Sequence, residues 1–323
     1  MNCILGIDGG GSKTICILMD DAGNILGRGE AGASNYQSIG IAAAKKQIKS
    51  AIHQSAITAF KYTNTINVIA ICLGLAGVSR PEDMEVIKAI VNQLHNSQDI
   101  RSITWKIQPD HLVICDDALI ALMAGIGDAV GIVVAAGTGS IVFGRNHQGK
   151  SKRVGGWGYI LGDEGSAYKI AVAGMQAALK AYDGRGKSTS LVENLQQHLG
   201  LESMENLIEV IYRKGWGVKE IAALAPIVDQ AATAGDQIAN SIIEQAIAEL
   251  VIATSTVIDH IFDSKQVVEV VTTGTIWQAK CKLRERFINS IVHDYPFVNV
   301  IYPRYEPAYG AGLLALKALS GNC

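Results

Sequence analysis

Three short apolar runs open the chain, Cys3–Ile7, Thr14–Asp20 and Ile25–Glu30, parted by turns at Asp8–Ser12 and Ala22-Gly23-Asn24. Runs of this length bounded by Gly, Asn and Asp predict a three-stranded meander. The apolar spacing then lengthens to a helical period from about Ile39 to Phe60. A buried strand follows at Ile66–Leu73, a helix near Pro81–Leu94 and a strand at Leu112–Cys115. After a helical segment from Ala118 to Gly125, two more apolar runs, Gly131–Ala136 and Ser140–Gly144, flank Gly137-Thr138-Gly139. Helical patterning dominates over Ser166–Asp183, Gly217–Ala234 and Ile238–Phe262. Strands are predicted at Val267–Val271 and Phe297–Ile301 and a last helix at Ala308–Leu319. Because the strand-turn-strand unit at 8–14 recurs at 136–140, the pattern predicts an α/β fold with a duplicated β-β-β-α-β-α-β-α core. Two lobes with a cleft between them are expected, the smaller from residues 1–117 plus the C-terminal helix 306–323, the larger from 118–305.

Composition narrows the partners. A chain of 323 residues, nearly half of them hydrophobic, has material for about two cores at roughly 150 residues per domain. The net charge of −2 offers no basic stripe for a nucleic-acid backbone or an anionic membrane, so a small molecule is the expected partner. The six cysteines (3, 16, 72, 115, 281 and 323) form no CxxC pair and read as buried thiols. The start of the chain lacks the basic and small-residue pattern of a signal peptide, and Gly, Thr and Ser interrupt the most apolar stretch, Ala129–Gly144. No membrane span and a cytoplasmic location are expected.

The chemistry is carried by turns. Asp8-Gly9-Gly10-Gly11-Ser12-Lys13-Thr14 frees backbone N–H groups for an anion. It is not a P-loop, since Ser12 intervenes before Lys13 and the chain continues as a strand rather than a helix. Asp8, at the end of its strand, is the candidate to face Mg²⁺. Ala136-Gly137-Thr138-Gly139-Ser140 is a second such turn about 130 residues on, and two of them can clamp a triphosphate where one cannot. Val113–Cys115 runs into Asp116 and Asp117, which read equally as a helix N-cap and as a general base for an attacking hydroxyl. In Gly155-Gly156-Trp157-Gly158 through Gly162-Asp163-Glu164-Gly165-Ser166, an indole face, carboxylates and glycine-made space suit a pyranose. The competing reading makes Asp163 and Glu164 a helix cap and Trp157 a core residue. Val268–Thr273 breaking at Gly274-Thr275 is commonplace strand-turn-helix.

Taken in order, Asp8–Thr14, Ser34-Asn35-Tyr36, Leu73–Gly77, Asp117-Ala118, Gly137–Ser140, Gly155–Ser166 and Thr273–Thr275 resemble the N-acetylglucosamine kinases. These are BadF/BadG/BcrA/BcrD-type ATPases of the actin-like, ribonuclease H-like superfamily. The resemblance spans nearly the whole chain, and its most specific stretch is Gly156–Ser166. It implies ATP and Mg²⁺ as cofactors and an amino sugar as acceptor. Asp117 would be the base on the sugar 6-hydroxyl, with Asn35, Trp157, Gly158 and Asp163 around the hexosamine. Gly10, Gly11, Ser12, Lys13, Thr14, Gly137, Thr138 and Gly139 would hold the phosphates, Gly274 and Thr275 the adenosine, and Asp8 the metal, directly or through water. The first phosphate turn and the Asn35 loop would then lie in the smaller lobe, the second turn and the adenosine site in the larger. Ser12 stands where relatives often have Thr, and Asp116 adds an acid beside the base. The resemblance leaves open a homodimer, and glucosamine or N-acetylmuramic acid as acceptor. A dehydratase-activating ATPase would need clustered cysteines for an iron–sulfur site, and a sugar-sensing regulator a helix-turn-helix that residue 8 leaves no room to precede.

Overall fold

The computed structural model describes residues 1–63, 65–78, 80–95, 103–213, 215–263 and 266–321. It divides into two compact units, Met1–Val130 with Pro303–Cys323, and Gly131–Tyr302.

In the first unit, β1 (Asn2–Gly9), β2 (Lys13–Met19) and β3 (Ile25–Gly32) form the expected antiparallel meander. Parallel to β1 on its other side lies β4 (Ile66–Leu75), which pairs in turn with β5 (Ile103–Trp105) and β6 (Leu112–Cys115). The period of two along β1 splits its side chains between two cores. Cys3, Leu5 and Ile7 pack with Ile48 and Ile52 of the Ile41–Ala59 helix. Ile4, on the opposite face, packs with Ala308, Ala311 and Ala315 of the final helix, Pro307–Leu319. That helix lies on the strand itself: a Cβ at Gly6 would stand 2.2 Å from the Ala308 carbonyl oxygen and 2.3 Å from the Gly312 nitrogen. Only glycine permits such an approach.

The break between the units falls after Val130 rather than at residue 117. The Asp117–Ile126 helix, expected in the larger lobe, packs in the first unit. Ile120 lies 2.5 Å from where a Cβ of Gly74 would be, and its carbonyl oxygen 2.2 Å from where one of Gly310 would be. Glycines on β4 and on the final helix hold this helix close.

The second unit repeats the sheet. β7 (Gly131–Ala136), β8 (Ser140–Arg145) and β9 (Ser151–Gly155) are antiparallel, and β10 (Val268–Thr273) and β11 (Val298–Ile301) continue parallel to β7. β9 completes a meander that the sequence pattern shows only as a pair, because Ser-Lys-Arg-Val-Gly has a single apolar residue. It is an edge strand, and charge there discourages further pairing. The stretch expected as one helix from Gly217 to Ala234 is two, Val218–Ala222 and Ala225–Thr233, with Pro226 in the first turn of the second, where its missing N–H costs nothing. Asp236 caps the Gln237–Ile261 helix, its Oδ1 accepting from the Ile238 and Ala239 amides, each at 2.9 Å. By length and composition this helix could cross a membrane, yet Ile243, Ile247, Leu250 and Val257 are buried in the core of the unit. Five cysteines are buried, as expected, and Cys323 lies outside the described residues.

Candidate functional site

In the first unit the site lies at the carboxyl ends of three parallel strands. Asp8 pairs in register with Gly74, and Gly74 with Cys115, so β1, β4 and β6 end level and Asp116 and Asp117 come next. The two acids part company here. Asp116 has extended backbone and its Oδ1 accepts from the Leu119 amide at 2.8 Å, an N-cap, while Asp117 is the first residue of the helix. Burial, and after it the negative charge of Asp117, push the Asp8 carboxyl from 3.8 up to about 7. Glu306 adds to the rise and Lys13 opposes it. A buried carboxyl whose proton affinity is raised by a second carboxylate is suited to a hard divalent cation.

A carboxyl that holds its proton more tightly in the folded chain than in the unfolded one costs no stability below pH 3.8. It becomes increasingly destabilising as pH rises to about 7, and is constant above. Asp8→Asn removes this penalty. Without nucleotide, its melting temperature relative to the wild type should therefore climb between pH 4 and 7 and level off beyond. A difference that stays flat across that range would refute the raised pKa.

Beside Asp8 the turn is tight: the Gly10 amide donates to the Lys13 carbonyl at 2.9 Å, and around Gly11 nothing lies within 4 Å of an added Cβ. Ser12 and Lys13 are exposed with it. Thr14, grouped with the phosphate residues in the sequence, is instead fully buried, and its hydroxyl donates to the Gly32 carbonyl at 2.7 Å. Strand alternation turns its side chain into the sheet, so its hydroxyl serves β3 and not an anion. The Gly10 carbonyl accepts from the Ser34 and Asn35 amides, seating the Asn35 loop on the turn. Asn35 caps the short Tyr36–Ile39 helix, its Oδ1 accepting from the Gln37 amide at 3.1 Å.

The second unit brings together the other candidates. In its turn the Gly137 amide donates to the Gly139 carbonyl at 2.9 Å. The Gly137 and Thr138 carbonyls accept from the Ala167 and Tyr168 amides at the start of the Ala167–Tyr182 helix. Asp163 is buried against this turn in a left-handed conformation, φ 61°, and a Cβ on Gly139 would stand 2.8 Å from its Oδ2. Burial raises its pKa, and hydrogen bonds from the Ser140 and Gly158 backbone work against the rise. Ser166, not Asp163 or Glu164, caps the following helix, its Oγ accepting from the Lys169 amide. Trp157 is 70% exposed, with the Arg153 guanidinium 5.6 Å from its ring centroid. The competing reading of this stretch, acids as cap and Trp157 in the core, is thereby overturned.

Gly274 has φ 111°, and a Cβ there would lie 2.2 Å from the Ala136 carbonyl oxygen, which presses it against the second turn. Thr275 follows, and with Thr138 it borders a cavity of about 490 Å³ walled by Ala222, Ala223, Pro226 and Ile276. That volume and lining fit a small, flat, apolar ligand part. Of the nucleotide candidates in the sequence, Thr138 and Thr275 line this cavity, and most of the remaining walls come from helices far along the chain. Glu306, which acts on Asp8, was missed, being remote in sequence from the strand it faces.

Two sheets of one order, each with a Gly-rich turn after its first strand, define an actin-like ATPase fold of the kind found in sugar kinases. The chain belongs to the BadF/BadG/BcrA/BcrD ATPase family, whose model matches residues 5–315. It is 34% identical to an N-acetylmuramic acid/N-acetylglucosamine kinase of Clostridium acetobutylicum over 317 residues, 98% of each chain. It is 35% identical to an N-acetyl-D-glucosamine kinase of Dictyostelium discoideum over 325 residues, 97% of this chain and 98% of the other. The solved structure of a provisionally named N-acetylglucosamine kinase from Chromobacterium violaceum superposes with a TM-score of 0.76 at 25% identity, covering 97% of this chain and 98% of that one.

Proposed function

We propose that this chain is an ATP-dependent hexosamine kinase that converts N-acetyl-D-glucosamine to its 6-phosphate, in the cytoplasm where ATP is supplied. The observation that carries the proposal is the Asp8–Asp117 pair at level strand ends beside an open glycine turn. Asp117 accepts the proton of the sugar 6-hydroxyl as that oxygen bonds to the γ-phosphorus and the bond to the ADP oxygen breaks. Gly11, Ser12 and Lys13 offer N–H groups, a hydroxyl and an ammonium to the phosphates, and Thr138 and Gly139 offer N–H groups and a hydroxyl from the second turn, while Gly10 and Gly137, whose amides close the two turns, leave the phosphates room to approach. Gly274 and Thr275 border the adenosine site. Asn35, Trp157, Gly158 and Asp163 hold the hexosamine, the indole covering its apolar face. Among the described residues no group of three or more His, Cys, Asp or Glu could hold a metal by itself. Mg²⁺ takes one or two carboxylates plus phosphate oxygens, which fits Asp8. When bound it would neutralise charge developing on the transferred group.

The deciding assay is ADP release with Mg-ATP against N-acetylglucosamine, glucosamine, N-acetylmuramic acid, N-acetylmannosamine and glucose, with the sugar phosphate identified. Turnover with N-acetylglucosamine is expected. Preference for glucosamine or N-acetylmuramic acid would move the acceptor, and silence across the panel would sink the kinase reading. Trp157→Ala should raise the KM for sugar about tenfold, the worth of an aromatic contact of some 1–1.5 kcal/mol, with the KM for ATP unchanged. Equal effects on both would remove Trp157 from the sugar site.

A further inference from the structure

The Asn35 loop is tied down by a carboxylate to which no role has been given. Asp83, in the first turn of the Pro81–His95 helix, is only 2% exposed. It serves its own helix start, its Oδ2 accepting from the Arg80 amide at 2.9 Å and from Arg80 Nε at 3.3 Å. Its Oδ1 is turned to another segment. It accepts a short hydrogen bond from the Tyr36 hydroxyl and one from Gln37 Nε2 at 3.3 Å. Gln37 Nε2 also donates to the Gly77 carbonyl at 2.7 Å, and a Cβ on Gly77 would meet the Asn35 side chain at 3.1 Å.

The two residues Asp83 holds directly follow Asn35, and the Gln37 amide fixes Asn35 by donating to its Oδ1. With Oδ1 so used, the Asn35 amide presents Nδ2 as the donor for a ligand oxygen. A charged group is costly to bury, and capping one exposed-side helix does not require it. A carboxylate accepting from two segments at once fixes one against the other.

We infer that Asp83 is the positioning residue of the acceptor loop: it anchors Tyr36 and Gln37 so that Asn35 meets the sugar in one fixed orientation. The inference rests on the hexosamine kinase reading. In Asp83→Ala the loop loses its anchor, and the KM for sugar should rise ten- to a hundredfold, with kcat within about threefold and the KM for ATP unchanged, as loss of acceptor orientation before the chemical step predicts. A double variant, Tyr36→Phe with Gln37→Leu, removes the two donors but keeps the helix contacts of Asp83, and it should give the same split if Asp83→Ala does not fold. Asp236→Ala, which removes a helix cap in the second unit, is the control: it should lower the melting temperature and leave the sugar KM alone. An active wild type whose folded variants keep the sugar KM within twofold would overturn the inference by itself. A wild type that phosphorylates no hexosamine would overturn the kinase reading and this inference with it.

Discussion

Asp117→Asn should retain the fold and lose about 10²- to 10⁴-fold in kcat, the usual contribution of a positioned general base, which at 1.36 kcal/mol per decade is about 3–5 kcal/mol of transition-state stabilisation. The expectation follows from what the neighbouring acid is doing. Asp116 accepts from the Leu119 amide, so Asp116→Asn keeps an acceptable cap and Asp116→Ala should cost about 0.5–2 kcal/mol of stability with a small effect on turnover. Asp117 begins the helix at the level of Asp8, and its charge registers on Asp8. Steady-state kinetics and thermal melting on the three variants separate the roles. A turnover loss confined to the Asp116 variants would reassign the base, and equal losses at both positions would mean that the acids act as a pair.

In the sequence that separation rests on the family resemblance alone, since the local pattern does not make it. A strand followed by two acids and a helix fits either assignment, and a single position decides it, because the residue with extended backbone caps and the next one is helical. The larger architecture was legible for the opposite reason. β1 alternates between two cores and is apolar from Cys3 to Ile7, and the Gly-rich turn after it recurs after β7, so local pattern and long-range duplication point the same way. β9 escaped because an edge strand is selected for charge rather than for apolar alternation. The Asp117–Ile126 helix was assigned to the other unit because its closest approaches in the first, at Gly74 and Gly310, are to glycines. They mark contact by the absence of a side chain, and no hydrophobic count registers them.

Thr14 and Trp157 show the same limit at the scale of the site. Inclusion in a turn motif gave Thr14 to the phosphates, yet it is the first buried position of β2, paired with Gly9 and bonded to Gly32. Trp157 invited a core assignment by its size, and it is the glycines around it, at φ 70° for Gly156 and 83° for Gly158, that turn the chain so that the indole stands at the surface. In both places backbone direction decides which side chains face solvent and which are turned into the sheet.

In the second unit, Gly274 joins an unusual backbone conformation to the proposed adenosine site. Alanine there must adopt φ near 111°, a cost of order 1–3 kcal/mol for a residue with a Cβ. The new Cβ must also stand 2.2 Å from the Ala136 carbonyl oxygen, which is backbone and cannot swing aside. Relief requires the strand end before Gly137-Thr138-Gly139 to shift away from Thr275. Gly274→Ala should therefore lose about 2–4 kcal/mol of stability and raise the KM for ATP tenfold or more, while the KM for sugar changes little. Gly235→Ala isolates the conformational part, since φ is 93° there but nothing lies within 4 Å of the added carbon. It should cost about 1–2 kcal/mol and leave the nucleotide KM unchanged. Matching nucleotide KM values for the two variants would show that the Ala136–Gly274 contact does not shape the proposed adenosine site. A rise confined to Gly274→Ala would tie the second glycine turn to the nucleotide through one carbonyl oxygen.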